Sequence, residues 1–210
     1  DTYADSFTGS FLTGQDLDGE GAALPITVEW TGIDIAGQTN LQFSGDFAET
    51  ESSNIDQADF ILVEYQIDGG GYQNLLAFRG YDFVGGDEFN GFFYEDTDFD
   101  GAADGVQLTT AAQTFVKSIA GTGSILDLRL SVSVNSGDED FGIDNFIITG
   151  TNAGPILVEQ VAIGAANVTI LNDTVTVDLT ATLDELTEYF VIVDAGAVTD
   201  ATANATPFAG

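Results

Sequence analysis

A run of aspartates between residues 96 and 104 is the most chemically informative stretch of the sequence. Asp96, Asp98 and Asp100 alternate with other residues, Gly101 follows, and Asp104 completes the pattern D-x-D-x-D-G-x-x-D. Calcium takes roughly six to eight oxygen ligands, which alternating carboxylates supply when a glycine permits a sharp turn. The pattern therefore predicts a calcium site. It lacks the glutamate and helices of an EF-hand, which favours a loop between strands; the alternative is a hydrated acidic turn.

A second group of acidic residues is divided between two distant parts of the sequence. In the predicted strand "FGIDNFIIT", Asp144 alternates in step with Phe146 and Ile148, so we expect its carboxylate to face inward. A buried, unpaired carboxylate is costly, and a metal ion removes that cost. The alternative is an edge position or backbone hydrogen bonding. The candidate residues of this second site are Asp46, Glu49, Asp138, Glu139, Asp140 and Asp144.

The charge of the chain limits its partners. Among 210 residues, 35 are acidic and three are basic, for a formal net charge of -32. Bound divalent cations or high external salt would offset the resulting repulsion. Only Arg79, Lys117 and Arg129 could face phosphates, which excludes nucleic acid and argues against an anionic membrane surface. No stretch has the length and apolar character of a membrane span.

Alternation of apolar and polar residues is the dominant pattern that positions these carboxylates. In "SILDLRLSVSVN", residues 124–135, every second residue is Leu or Val, as expected of a strand with one buried face. Similar runs occupy residues 26–31, 40–45, 59–67, 72–78, 114–119 and 141–149. Hydrophobic residues make up 44% of the chain, enough for a core. Short strands separated by glycine and aspartate turns predict an all-β, jelly-roll-like β-sandwich.

A boundary is predicted near "TGTNAGPI", where turn-forming residues interrupt the pattern. It divides the chain into a first domain, 1–150, and a second, 151–210. Predicted strands of the second domain span residues 156–163, 167–171, 174–181 and 188–196, with one helical turn at 182–188. Four strands in about sixty residues are few for an independent sandwich. We therefore expect a small, incomplete Ig-like domain with open edges.

Two resemblances support this division. The motifs "NLQFSGDFAE", "VEYQIDGGGYQNLLAFRG", "EDTDFDGAADG" and "GTGSILDLRLSVSVNSGDEDFGIDNFIITG" make residues 5–150 resemble a β-sandwich module of secreted bacterial proteins, including some marine extracellular nucleases. The resemblance implies an accessory, calcium-stabilised module without the nuclease's catalytic part. Residues 165–210, with "YFVIVDAGAVTDATANATPFAG", resemble the later half of a bacterial surface-layer-type Ig-like domain. The early strands of that domain are shortened or missing here, and the chain ends at Gly210 where a closing strand would be expected. Either the protein has been cut, or the missing strand comes from elsewhere.

An incomplete sandwich suggests self-assembly, because exposed strand edges need partners. A neighbouring copy could donate a strand, and an open-ended contact of this kind produces a filament. The stretch "DTYADSFTGSFLT" is a candidate donor; the alternative is that it forms the first strand of its own domain. We therefore expect a secreted bacterial protein, its signal peptide removed before Asp1, that polymerises into an extracellular filament or surface layer.

Catalysis is not expected. The chain has no histidine and no cysteine, which removes Ser-His-Asp and Cys-His arrangements and His-ligated zinc. The alternative function is a glycan-binding or adhesive accessory module. For this function "FNGFFYED" supplies the predicted ligand-binding patch, formed by Phe92, Phe93 and Tyr94. Trp30 alternates with Val28, which predicts that it is buried.

Overall fold

The chain forms antiparallel β-structure throughout the part that can be described. The computed structural model describes residues 3, 7, 9–50, 54–80, 91–152, 159–162, 165–171, 174–183 and 189–194. Within these ranges the regular elements are strands. The chain divides into two compact units, residues 1–153 and 154–210. Strand β9 (Phe141–Asn152) runs through the boundary predicted after residue 150.

Two sheets form the first unit. One sheet has the order β1 (Leu12–Gly14), β9, β3 (Gln38–Glu49) and β7 (Gln113–Ser118). The other has the order β2 (Ile26–Asp34), β8 (Ile125–Ser133), β4 (Phe60–Ile67), β5 (Gln73–Gly80) and β6 (Phe93–Glu95). The chain crosses repeatedly between the sheets. With β6 set aside, the eight remaining strands have the order of a jelly roll. The predicted all-β sandwich is confirmed.

Side chains from both sheets fill the space between them. On β8, Leu126, Leu128 and Leu130 are buried, whereas the residues between them face outward more. The alternation predicted from the sequence therefore sets this face of the core. From the opposite sheet, Phe47 approaches Phe78 of β5 with ring centroids 5.0 Å apart. Such contacts join the two sheets through apolar packing, the main stabilising term of a sandwich.

Trp30 corrects one expectation about the core. It lies opposite Leu128 of β8, and its ring contacts Phe146, with centroids 5.4 Å apart. However, β2 is the edge strand of its sheet, so the ring lacks a neighbouring strand on one side. Trp30 is consequently 39% exposed. The prediction that it is buried was wrong because alternation identifies a face of a sheet and not a distance from its edge.

The second unit contains one described hairpin, β10 (Val168–Leu171) and β11 (Thr174–Val177), paired antiparallel. The predicted strands at 167–171 and 174–181 thus correspond to shorter observed strands. The described residues 159–162 and 189–194, which fall in the other two predicted strands, are not assigned to strands. The helical turn predicted at 182–188 lies mostly outside the described residues.

No helix that could cross a membrane is found in the described ranges.

Gly80, at the end of β5, offers a test of the packing. A Cβ at this position would lie 1.7 Å from the backbone oxygen of Asp56, whereas one at Gly137 would meet nothing within 4 Å. We expect Gly80→Ala to lower the free energy of unfolding by roughly 1–3 kcal/mol, because a backbone carbonyl must move. Gly137→Ala is the control and should change it little. Chemical denaturation of both variants measures this, and equal effects would contradict the packing described.

Candidate metal centre

The acidic loop that follows β6 brings three carboxylates together. One oxygen from each of Asp96, Asp98 and Asp100 lies within 4.8 Å of the other two. Two oxygens bound to the same calcium ion, at roughly 2.3–2.6 Å each, are separated by no more than about 5 Å. The spacing of the three carboxylates therefore suits an ion of this size. Asp98 and Asp100 are exposed, whereas Asp96 is buried.

Backbone geometry explains why the carboxylates converge. Phe99 and Gly101 have φ angles of 61° and 93°, which turn the chain sharply. The amide of Ala102 donates to Asp100 Oδ1 at 2.8 Å, and the amide of Asp100 donates to Asp98 Oδ1 at 3.3 Å. These local hydrogen bonds orient the two exposed carboxylates on the same turn.

Asp96 is the anchor of the group. It follows β6 directly, and its amide donates to the carbonyl of Ala77 at 2.9 Å. Asp96 Oδ2 accepts from the Gly101 amide at 3.0 Å and lies 3.6 Å from Arg79 Nε. Asp96 Oδ1 is buried and has no hydrogen-bond partner. A buried carboxylate oxygen without a partner is rare and costly, and a cation would satisfy it.

Asp104 has a different role from the predicted one. It is not a member of the carboxylate group; its Oδ1 accepts from the Thr97 amide at 2.8 Å and from the Thr97 hydroxyl at 2.9 Å. These hydrogen bonds favour the ionised form and lower the pKa of Asp104. Asp104 therefore closes the loop by joining its two ends, so that Asp96, Asp98 and Asp100 are held on a short turn.

A β-bulge changes the expected direction of Asp144. The β3–β9 register shifts between Ser44 and Asp46, and Asn145 has a φ of 55°. The bulge reverses the alternation, so Ile143 before it and Phe146 after it both pack on the core. Because Ile143 faces the core, its neighbour Asp144 lies on the other face of the strand, and its Oδ1 accepts from the Asn145 amide at 2.8 Å. The predicted inward orientation was wrong.

The remaining members of the predicted second site also have partners of other kinds. Asp46 accepts from Thr114 Oγ1 at 2.5 Å and from Asn145 Nδ2 at 2.8 Å. Asp140 accepts from Thr50 Oγ1 at 3.1 Å, and Asp138 accepts from Ser136 Oγ at 2.7 Å. Within the described ranges, the structure does not gather Asp46, Glu49, Asp138, Asp140 and Asp144 into a group of three carboxylates.

Glu49 is buried at the end of β3 without a counter-charge. Its Oε2 accepts from the Phe93 amide at 2.8 Å, and its Oε1 has no hydrogen-bond partner. Burial raises the pKa of Glu49 to about 8, an increase that the Phe93 hydrogen bond only partly opposes. Glu49 therefore helps to position β6, at the expense of a buried carboxyl group.

The structure brings together another carboxylate group, of which the sequence analysis named only Glu139 and placed it with other residues. It consists of Asp56, Asp59 and Glu139, again with one oxygen of each within 4.8 Å of the others. The spacing "DQAD" before β4 is the only local signal, because Glu139 comes from a distant turn between β8 and β9. Predicting this group would have required the knowledge that β4 pairs with β8.

The predicted aromatic patch is not a flat exposed surface. Phe93 is completely buried in the core, since it belongs to β6, a strand that the sequence analysis did not predict. Its assignment as a ligand-binding residue is therefore corrected. Tyr94 is half-buried, and its hydroxyl donates to Gln107 Oε1 at 2.9 Å. Phe92 lines a cavity of about 260 Å³ together with Glu49, Thr50, Gln107, Leu108, Thr109 and Thr110.

Comparisons with known proteins identify no family. No protein-family model matches the chain, and no curated protein matches it. Among solved structures, the C-terminal domain of the sugar-binding protein EclA is similar over 71% of this chain and 84% of that one, with a TM-score of 0.39 and 14% sequence identity. A similarity of this size is too low to support an argument about binding.

The raised pKa of Glu49 predicts a pH dependence of stability. A carboxyl whose pKa is higher in the folded chain holds its proton more tightly there. The stabilisation of the folded chain by this protonated carboxyl is therefore fully present below its ordinary pKa of 4.5 and is lost as the pH rises through about 8. We expect Glu49→Gln to match the wild type near pH 4 and to be increasingly more stable toward pH 8. Thermal unfolding in chelator tests this, and a pH-independent difference would contradict it.

Proposed function

We propose that the protein is a calcium-binding, noncatalytic β-sandwich module of the cell exterior, with calcium held by the loop at residues 96–104. The observation that carries this proposal is the buried, unpartnered Oδ1 of Asp96 beside two further carboxylates. Arg79 contributes one positive charge near Asp96 Oδ2, against three negative charges. A divalent cation would correct that imbalance and give Asp96 Oδ1 a ligand bond.

The exposure of the loop suggests the range of affinity. Asp98 and Asp100 face solvent, so the ligands are only partly preorganised and water competes for the ion. Extracellular calcium modules of this kind bind with dissociation constants of roughly 10⁻⁴–10⁻³ M. Such a site fills in calcium-rich surroundings such as sea water. Bound cations would also reduce the repulsion that the net charge of -32 causes within the chain.

Substitution of the exposed ligands tests the calcium site. We expect Asp98→Asn combined with Asp100→Asn to weaken calcium binding at least tenfold, since two of the three carboxylates lose their charge. If the wild type is at about 100 times its dissociation constant, calcium at this loop stabilises it by about 2.7 kcal/mol, and a variant with tenfold weaker binding should lose about half of this gain. Isothermal titration calorimetry and thermal unfolding, each with calcium and with chelator, measure both effects.

The matched control also removes two acidic charges. Glu20→Gln and Asp178→Asn lie outside both carboxylate groups, and both side chains are exposed. This double variant should retain wild-type calcium affinity, which separates a specific site from general attraction of cations to an acidic surface. Equal melting temperatures of the wild type in calcium and in chelator would contradict the proposal.

Glycan binding is a second candidate function, favoured by the cavity beside Phe92. Its lining combines Phe92 with the polar residues Glu49, Gln107 and three threonines. Sugars are bound by this combination, in which a ring stacks on apolar C–H groups and polar atoms accept or donate hydrogen bonds. The cavity lies in the first unit and requires no contribution from the second.

Replacement of the cavity's aromatic ring tests glycan binding. We expect Phe92→Ala to weaken binding of any recognised glycan roughly tenfold, which is the upper range for one aromatic contact. Val116→Ala, at a side chain that is 57% exposed and not part of the cavity lining, is the control. A glycan array at saturating calcium, followed by titration of any bound sugar, provides the measurement. An array without binding, or unchanged affinity of Phe92→Ala, would contradict this function.

Self-assembly into filaments stays a prediction. Leu12–Gly14, within the suggested donor stretch, pairs with residues 141–143 of the same domain, which favours the alternative that this stretch is the domain's own first strand. In the second unit, Phe190, Val191 and Ile192 are 73–89% exposed. Exposed apolar residues of this kind are a candidate contact between copies. Electron microscopy in calcium and in chelator would detect filaments or show dispersed chains.

A further inference from the structure

Two turns bring three carboxylates together at one end of the sandwich, away from the 96–104 loop in sequence. β4 pairs with β8 so that Phe60 lies opposite Ser133, and residues just before β4 therefore lie beside those just after β8. This pairing places Asp56 and Asp59 next to Glu139. Asp59 and Glu139 are only 0% and 3% exposed. The group is thus more deeply buried than the carboxylates of the loop.

Backbone amides satisfy one oxygen of each buried carboxylate. The Asp56 amide donates to Asp59 Oδ2 at 2.7 Å, and the Ser136 amide donates to Glu139 Oε2 at 2.7 Å. The Asn135 amide also donates to Glu139 Oε2. By contrast, Asp59 Oδ1 is buried and has no hydrogen-bond partner. The two turns therefore fix the carboxylates while leaving an oxygen that needs a ligand.

No basic side chain compensates the charge of this group. The chain has three basic residues, and each is paired with a carboxylate elsewhere, as Arg79–Asp96, Lys117–Glu95 and Arg129–Glu64. Burial and the neighbouring Glu139 and Asp56 raise the pKa of Asp59 to about 7, despite the hydrogen bond from the Asp56 amide. Burial likewise raises the pKa of Glu139. Without a cation, the folded chain therefore disfavours ionisation of these groups.

We propose that Asp56, Asp59 and Glu139 bind a divalent cation of calcium size, at a second site that is independent of the 96–104 loop. All donors are carboxylate oxygens, which hard cations prefer, and their separations are within the span of one calcium ion. The bound ion satisfies Asp59 Oδ1 and compensates the buried charges. It also ties the turn before β4 to the turn between β8 and β9, so its role is structural.

Counting the bound ions tests this site separately from the loop. Equilibrium dialysis against calcium, with metal analysis, should show that Asp59→Asn loses one ion per chain relative to the wild type. Asp98→Asn with Asp100→Asn should lose a different ion, and the triple variant should lose two. Glu20→Gln should lose none. Wild-type stoichiometry in both Asp59→Asn and Glu139→Gln would overturn the second site without affecting the loop. If these two variants each lose an ion but Asp98→Asn with Asp100→Asn loses none, the loop site is contradicted instead.

Thermal unfolding distinguishes a bound cation from a proton shared between the carboxyl groups. Asparagine at position 59 can still accept from the Asp56 amide but has no charge. We therefore expect Asp59→Asn to melt at or above the wild-type temperature in chelator and below it in calcium. A shared proton would instead make the variant at least as stable as the wild type in both conditions, which would overturn the proposal. An Asp59→Asn chain that is unfolded in chelator would overturn it as well.

Glu139→Gln is the second variant for this test. It keeps an acceptor for the Ser136 amide and removes the charge from the other buried member of the group. The proposal requires the same result as for Asp59→Asn, namely loss of one ion and a smaller calcium-dependent increase in melting temperature than in the wild type, because the 96–104 loop still binds its own ion. A result in which only one of the two variants loses the ion would contradict a site that needs both carboxylates.

Discussion

Burying a carboxylate removes it from water, and this chain buries several of them with three basic residues available for pairing. Lys117 and Arg129 pair with Glu95 and Glu64, and Arg79 lies beside Asp96. The other buried carboxylates accept hydrogen bonds from backbone amides or, at Asp140, from the Thr50 hydroxyl. This constraint connects the composition of the chain to its structure, because the loop at 96–104 and the group around Asp59 are both places where amides alone leave an oxygen unsatisfied.

The sandwich supplies the rigid frame for these groups. Packing between the two sheets fixes β4, β5, β6 and β8, and the carboxylates lie in the turns that these strands enter or leave. Ion binding at such turns would stabilise the folded chain by mass action, since the unfolded chain does not gather the ligands. If both sites bind calcium, the free energy of unfolding rises with the calcium concentration around the protein. The same binding would reduce the repulsion that a net charge of -32 imposes.

Local patterns were sufficient to predict most strands of the first unit and the acidic loop. Strand alternation reflects a period of two, and the carboxylates of the loop are close in sequence, so both are visible without knowledge of the fold. Asp144 and Trp30 show the limits of this approach. A bulge at Asn145 reversed the alternation before Phe146, and the edge position of β2 exposed a ring on the inner face. The group of Asp56, Asp59 and Glu139 depends on the pairing of β4 with β8, and a single sequence does not reveal which strands pair.

The most direct test of the account is a crystal structure of the chain grown in millimolar calcium, with anomalous scattering recorded at long wavelength. The account predicts an anomalous peak at the 96–104 loop, with Asp96 Oδ1 and oxygens of Asp98 and Asp100 at roughly 2.3–2.6 Å from it. A map that shows only water at this position, with Asp96 Oδ1 bonded to a protein donor, would contradict the central claim.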